Sequence, residues 1–216
     1  MTNNQSNYCE LPDISGDRGL VAGVDEVGRG ALFGPVVAAA VILPPSTLPQ
    51  LALAGVRDSK QLSGQRRLKL AQQIKELALD WRIGYATREE IDRINILQAS
   101  LLAMKRAILK LKVQPDLCLI DGKKSILDLP IPQELMVKGD ARSLEIAAAS
   151  IVAKVWRDDL IDRLAIKYPN YDLKANKGYG TERHRLALQK YGLSTMHRLS
   201  FKVKFPLRQI EKSLDS

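Results

Sequence analysis

Apolar positions along the chain fall into two rhythms. Short runs rich in apolar and β-branched residues occupy Leu20–Asp25, Val36–Leu43, Trp81–Ala86, Leu117–Ile120 and Glu134–Val137, lengths and compositions that predict five β-strands. The Leu117–Ile120 run has no polar alternation, as expected of a strand covered on both faces. Helical spacing appears over Ser63–Leu79, where Leu68, Ala71, Ile74, Leu77 and Ala78 share one side behind Ser63 as a candidate cap. It returns over Ile94–Leu111, over Ala-rich Leu144–Lys167 behind Ser143, and over Thr181–Tyr191 behind Thr181. Pro44–Lys60 contains three prolines and reads as a loop. Strands first, then helices alternating with strands, then helices alone predict an α/β domain: a mixed five-stranded sheet flanked by helices, with a helical C-terminal extension. Expected boundaries are a flexible tail over 1–19, the α/β domain over 20–168, and the helical extension over 169–216.

Composition changes this picture little, but the distribution of charge changes it considerably. The net charge is +9, and Lys174–Lys212 holds ten Lys or Arg against two Glu, hence eight of those nine charges. A balanced body with a basic appendage points to a polyanionic partner, nucleic acid foremost. Cys9 and Cys118 show neither metal-ligand spacing nor a disulfide framework, which suits a reducing cytoplasm. No apolar run approaches the ~20 residues of a membrane span, and no coiled-coil pattern appears, so a monomer is expected.

Four carboxylates draw attention by their positions. Asp25 and Glu26 close the first strand, Asp121 closes the fourth, and Asp140 stands at the entry to the long helix. Ligand sites of open α/β sheets gather outside strand ends, so these groups can converge there. Converged carboxylates repel one another unless cations intervene, and an oxygen-only donor set selects magnesium or manganese. Two such ions about 4 Å apart can activate a water and stabilise the leaving oxygen of a phosphodiester. Taken singly, each carboxylate has an ordinary reading: a surface strand end, an Asp-Gly turn, a residue favoured by the helix dipole.

Other residues suggest contacts to a nucleic-acid backbone. Gly28-Arg29-Gly30 combines close backbone approach with a phosphate-neutralising cation, though a tight turn bearing a surface Arg reads equally well. Lys60, in Asp58-Ser59-Lys60, can meet a phosphate or simply be solvated. Lys177, Tyr179 and Thr181 place a cation, an aromatic ring and a hydroxyl at a helix entry. His184 and Arg198 follow in the same basic stretch and count as candidate contacts. Lys154 and Asp158 lie four apart on the long helix, as an ion pair supporting the site.

The segments Val24-Asp25-Glu26-Val27-Gly28-Arg29-Gly30, Asp58-Ser59-Lys60, Ile120-Asp121-Gly122, Lys138-Gly139-Asp140, 147–155 with Arg157-Asp158, Gly178-Tyr179-Gly180-Thr181 and His197-Arg198 with Ser200-Phe201 together closely resemble type 2 ribonuclease H, the ribonuclease HII of bacteria. The likeness runs in order from about Leu20 to Phe201. It implies a ribonuclease-H-like fold that hydrolyses the RNA strand of RNA/DNA hybrids and nicks 5′ of single ribonucleotides in duplex DNA. It implies 5′-phosphate and 3′-hydroxyl ends, with Mn2+ or Mg2+ on Asp25, Glu26, Asp121 and Asp140. Gly28, Arg29 and Gly30 match the turn that senses the 2′-hydroxyl, and Tyr179 matches the tyrosine that packs on the deoxyribose beyond the junction. Ala31-Leu32-Phe33 departs from the pattern, and Phe33 is expected to alter the fit near the scissile phosphate. Two rivals stay open here: a two-metal DNA nuclease without ribose selectivity, and a basic binding module without catalysis.

Overall fold

The computed structural model describes residues 19–56 and 63–203. Five strands form one sheet in the order β3-β2-β1-β4-β5: β1 Val21–Val27, β2 Val36–Ile42, β3 Asp80–Ala86, β4 Leu117–Asp121 and β5 Gln133–Met136. β1 is central, antiparallel to β2 and parallel to β4, and Val24 lies beside Ile120. The mixed sheet is therefore the one predicted. β2 is buried along its whole length, which explains why Val36-Val37-Ala38-Ala39-Ala40-Val41-Ile42 shows no polar alternation.

Helices cover both faces. On one side Ala22, Val24, Ala38, Ala40 and Ile120 meet Ile91, Ala99, Ala103 and Met104 of α3, Arg88–Leu109. On the other, Ala39 and Val41 meet α2, Gly64–Leu77, and α5, Leu144–Lys167. The alanines of α5 let it lie directly on the sheet. At Gly23 the approach is so close that a Cβ would come within 2.0 Å of the Glu145 carbonyl carbon. Any side chain there would lift the N-terminal end of α5 from β1.

Helix caps account for most of the boundaries. Ser63, Ser143 and Thr181 each accept a bond from a backbone N–H three residues on, as their positions predict. The helix expected from Ile94 begins earlier, at Arg88, because Thr87 and Glu90 form a reciprocal capping box. It is interrupted at Asn95 (φ 66°), whose side chain caps the restart by accepting from the N–H groups of Leu97 and Gln98. The 44–60 loop contains a 3-10 turn, Pro45–Thr47, and α1, Leu48–Leu53; Lys60 lies outside the described residues.

β3 forms one edge of the sheet, and its outward carbonyls are occupied. Lys110 Nζ donates to Ile83 O (3.0 Å), Arg106 Nη1 to Tyr85 O (2.8 Å) and Arg82 Nη1 to Trp81 O (2.7 Å).

The C-terminal part builds a core of its own against the far end of α5. After the 3-10 turn Pro169–Tyr171 come α6, Leu173–Asn176, and α7, Glu182–Tyr191; α4, Gly139–Arg142, lies earlier, between β5 and α5. Tyr171, Leu173 and Leu188 pack with Ile161 of α5 and with Phe33. Phe33 is fully buried, edge-on to Tyr168 (5.3 Å) and His197 (5.0 Å). This corrects the expectation that it shapes the scissile-phosphate pocket: it anchors the segment after β1 to the C-terminal helices. Bridges Ala31–Tyr179 and Phe33–His197 complete that junction.

Candidate active site

Parallel strands β1 and β4 end side by side, which brings Asp25 and Asp121 together. Asp25 is 5 % exposed, on the α5 face with Ser150 as a partner. Burial pushes its carboxyl well above the usual carboxylate range, and the negative charges of Glu26 and Asp121 push it further. Burial likewise raises Glu26, with partial relief from Arg29, whose Nη1 donates to Glu26 Oε1 at 3.2 Å. Asp121 Oδ1 accepts from the N–H of Gly139 (2.8 Å), which ties the end of β4 to the entry of α4. There Lys138, at φ 55°, turns the chain sharply and delivers Asp140 to the same cleft.

All four carboxylates line one cleft of about 450 Å³, together with Gly28, Arg29, Gly30, Lys154 and Tyr179. Among the described residues no three His, Cys, Asp or Glu side chains close around a single point. The arrangement is an open acidic wall, suited to hard cations that keep several waters and complete their shells with substrate phosphate. Oxygen-only donors, and a buried Asp25 whose ionisation is opposed by its neighbours, fit divalent magnesium or manganese: a cation there would offset the repulsion.

Basic groups surround this wall. Lys154 Nζ donates to Asp158 Oδ1 (2.8 Å), the expected pair, and lies 5.9 Å from the Tyr179 ring centroid. Arg67, on α2, also lines the cleft. Sequence reading missed it, although its place in an Arg66-Arg67 pair in the first turn of α2 was a usable signal.

Two expected substrate contacts are internal instead. His184 is fully buried: its Nδ1 faces Tyr179 O (2.9 Å) and its Nε2 faces His197 Nε2 (3.1 Å). Arg198 is 2 % exposed, and donates through Nε to Gly34 O and through Nη1 to Arg29 O, both at 2.9 Å. Lys177 is engaged by Asp162, and Thr181 acts as the α7 cap. Arg157, also missed as an individual residue, is fully buried beneath Gly28 and donates to the carbonyls of Pro35, Phe33 and Lys177. Side chains of these types read as surface groups in a sequence; only the fold shows that they bind backbone.

The histidine pair has one consistent proton arrangement. Ser194 N–H donates to His197 Nδ1 (2.9 Å), so His197 carries its proton on Nε2 and gives it to His184, which donates from Nδ1 to Tyr179 O. Protonating either ring places two donors face to face. Burial lowers both rings, His197 to about 4 with a further push from His184. Histidines depressed on folding contribute stability that is complete above about 6.5 and is lost as pH falls towards 4. The melting temperature should therefore fall across that window, and a His197→Asn variant, already less stable at neutral pH, should show a shallower fall when followed by circular dichroism.

The ribonuclease HII family model matches residues 22–204. The chain belongs to the ribonuclease HII family. The ribonuclease HII of Trichormus variabilis is 69 % identical over 200 residues, covering 92 % of this chain and 89 % of that protein. The ribonuclease H2 of Pyrococcus horikoshii superposes with a TM-score of 0.74 at 28 % identity, over 85 % of this chain and 94 % of its own. Bst-RNase HIII in complex with Mn2+ shares the fold, with a TM-score of 0.70 at 22 % identity over 85 % of this chain and 67 % of its own. As a member of that family, the chain is a phosphodiester hydrolase acting on the RNA strand of RNA/DNA hybrids. No helix among the described residues is long and apolar enough to cross a membrane.

Proposed function

We propose that this enzyme cleaves long hybrids and also nicks duplex DNA 5′ of a single embedded ribonucleotide, leaving 5′-phosphate and 3′-hydroxyl ends. One observation carries the reading. The Gly28–Gly30 turn and Tyr179 stand together at the acidic cleft, with a Cβ at Gly30 only 4.0 Å from Tyr179 Cε1. A ribose read by the turn would place the next sugar along the strand against the ring. That is the geometry needed to recognise one ribonucleotide followed by deoxyribose.

Asp25, Glu26, Asp121 and Asp140 would hold two magnesium or manganese ions. When bound, these supply an activated water and charge neutralisation at the departing 3′ oxygen. The chain's own groups do the positioning. Arg29 presents an exposed guanidinium beside Glu26, and Lys154, fixed by Asp158, holds a cation across the cleft; both suit backbone phosphates. The 2′-hydroxyl serves as a recognition handle, not as the nucleophile. Residues 169–203 contribute Tyr179 and the basic flank, and the enzyme works as a cytoplasmic monomer.

The test is cleavage of a labelled DNA duplex with one ribonucleotide, beside an all-DNA duplex and a long hybrid, in magnesium, manganese or EDTA. A metal-dependent nick 5′ of the ribonucleotide, with no cut in all-DNA, is expected. Cutting of the hybrid alone would remove the junction reading. Cutting of all-DNA would remove ribose selectivity.

A further inference from the structure

Building on the proposed ribose-reading turn, we infer that Arg198 is a positioning residue that fixes the orientation of the Arg29–Gly30 peptide, aiming the Gly30 N–H into the cleft. The turn holds itself weakly. Its internal bond, Ala31 N–H to Gly28 O, is long at 3.3 Å. Arg198 supplies what that bond lacks. Its buried Nη1 donates to the Arg29 carbonyl, its Nε donates to the Gly34 carbonyl, and its own backbone N–H donates to Leu32 O, all at 2.9 Å. One residue thus grips the turn and the segment that follows it at three carbonyls.

Peptide geometry converts this grip into recognition. The chain has no cis peptide among its described residues, and in a planar trans peptide the C=O and the following N–H point in opposite directions. With the Arg29 carbonyl drawn inward to the guanidinium, the Gly30 N–H faces outward, where Gly30 is exposed and lines the cleft. A flipped peptide would present a carbonyl in that place. The carbonyl would repel phosphate oxygens and could not donate to O2′. Little in the turn itself opposes such a flip: it rotates ψ of Arg29 together with φ of Gly30, and glycine meets no Cβ barrier. A forked, buried guanidinium can bind two carbonyls at once, which an ammonium cannot do with the same geometry.

Two variants and two measurements test this. Arg198→Lys keeps the charge and loses the fork; Arg198→Met loses both. For Arg198→Lys, KM for the single-ribonucleotide duplex should rise about tenfold, the effect of one charge-assisted hydrogen bond, with a smaller change in kcat. The Gly30 amide 1H–15N resonance should shift and broaden in either variant, while the amides of Val24 and Ala39, in the sheet, stay in place. An unchanged KM with an unmoved Gly30 resonance would overturn the assignment. So would displacement of sheet amides along with Gly30 in both variants, since Arg198 would then support only the fold. Should the wild-type enzyme fail to nick the single-ribonucleotide duplex, the proposed function falls, and the Gly30 resonance alone decides whether Arg198 holds the peptide.

Discussion

Replacing Asp25 with asparagine should abolish most hydrolysis of an RNA/DNA hybrid while leaving the metal-free protein more stable at pH 7. The two effects share a cause. Asp25 sits where burial and the charges of Glu26 and Asp121 oppose its ionisation. A carboxyl raised on folding contributes stability that is complete below its unfolded value near 3.8 and lost as pH rises through the folded one. At neutral pH without metal, the folded protein therefore carries the cost of holding this carboxyl where its ionisation is opposed, and asparagine removes that cost at almost equal volume. Activity moves the other way, because the same charge is what a divalent ion requires. Loss of groups that merely support metal ligands typically costs about 10–100-fold, so loss of a proposed ligand should cost more than about a hundredfold. Thermal melts with and without Mn2+ report both halves: manganese should raise the wild-type melting temperature and raise that of Asp25→Asn much less. Full activity in the variant would remove Asp25 from the proposed metal site.

Gly28→Ala should be the most damaging change in the turn, for stability and activity alike. Gly28 has φ 91°, and a Cβ there would lie 2.2 Å from Arg157 Nε. That guanidinium has little room to retreat, since its nitrogens are engaged by Pro35, Phe33 and Lys177 carbonyls. Positive φ in a non-glycine residue costs about 1–3 kcal/mol before any clash. Displacing a buried, carbonyl-bound Arg adds to this, so the total should reach roughly 3–5 kcal/mol. Urea unfolding at equilibrium measures the first effect. Cleavage of a single-ribonucleotide duplex by the fraction that remains folded measures the second, and near-wild-type values of both would show that the turn yields easily.

How far the chain could be read depended on how local each signal was. The β2 run, the Ala-rich stretch of α5 and the Ser143 cap are decided by neighbours in sequence, and they lie where their patterns place them. Strand-end positions also foretold that Asp25 and Asp121 would meet, because parallel β1 and β4 bring their ends together. The C-terminal core was not legible. Phe33 meets Tyr171 and Leu188 across more than a hundred residues, and no periodicity records such a contact. For the same reason His184 and Arg198 looked like surface groups: their partners, Tyr179 O, His197, Arg29 O and Gly34 O, are supplied by the fold. The early start of α3 was local, however. Thr87 and Glu90 stand at capping-box spacing, and their reciprocal bonds set the helix start ahead of the Asn95 interruption.

The occupied edge of β3 bears on how this enzyme behaves in company. Nucleic-acid enzymes crowd along a shared polymer, where neighbouring copies meet often. A bare strand edge under those conditions is a template for sheet-to-sheet pairing and aggregation. Here an incoming strand would have to displace Lys110, Arg106 and Arg82 from the carbonyls of Ile83, Tyr85 and Trp81. It would also bring its own donors against three cations. Three side chains of ordinary surface type thus block strand pairing along that edge, on the side of β2 away from the cleft.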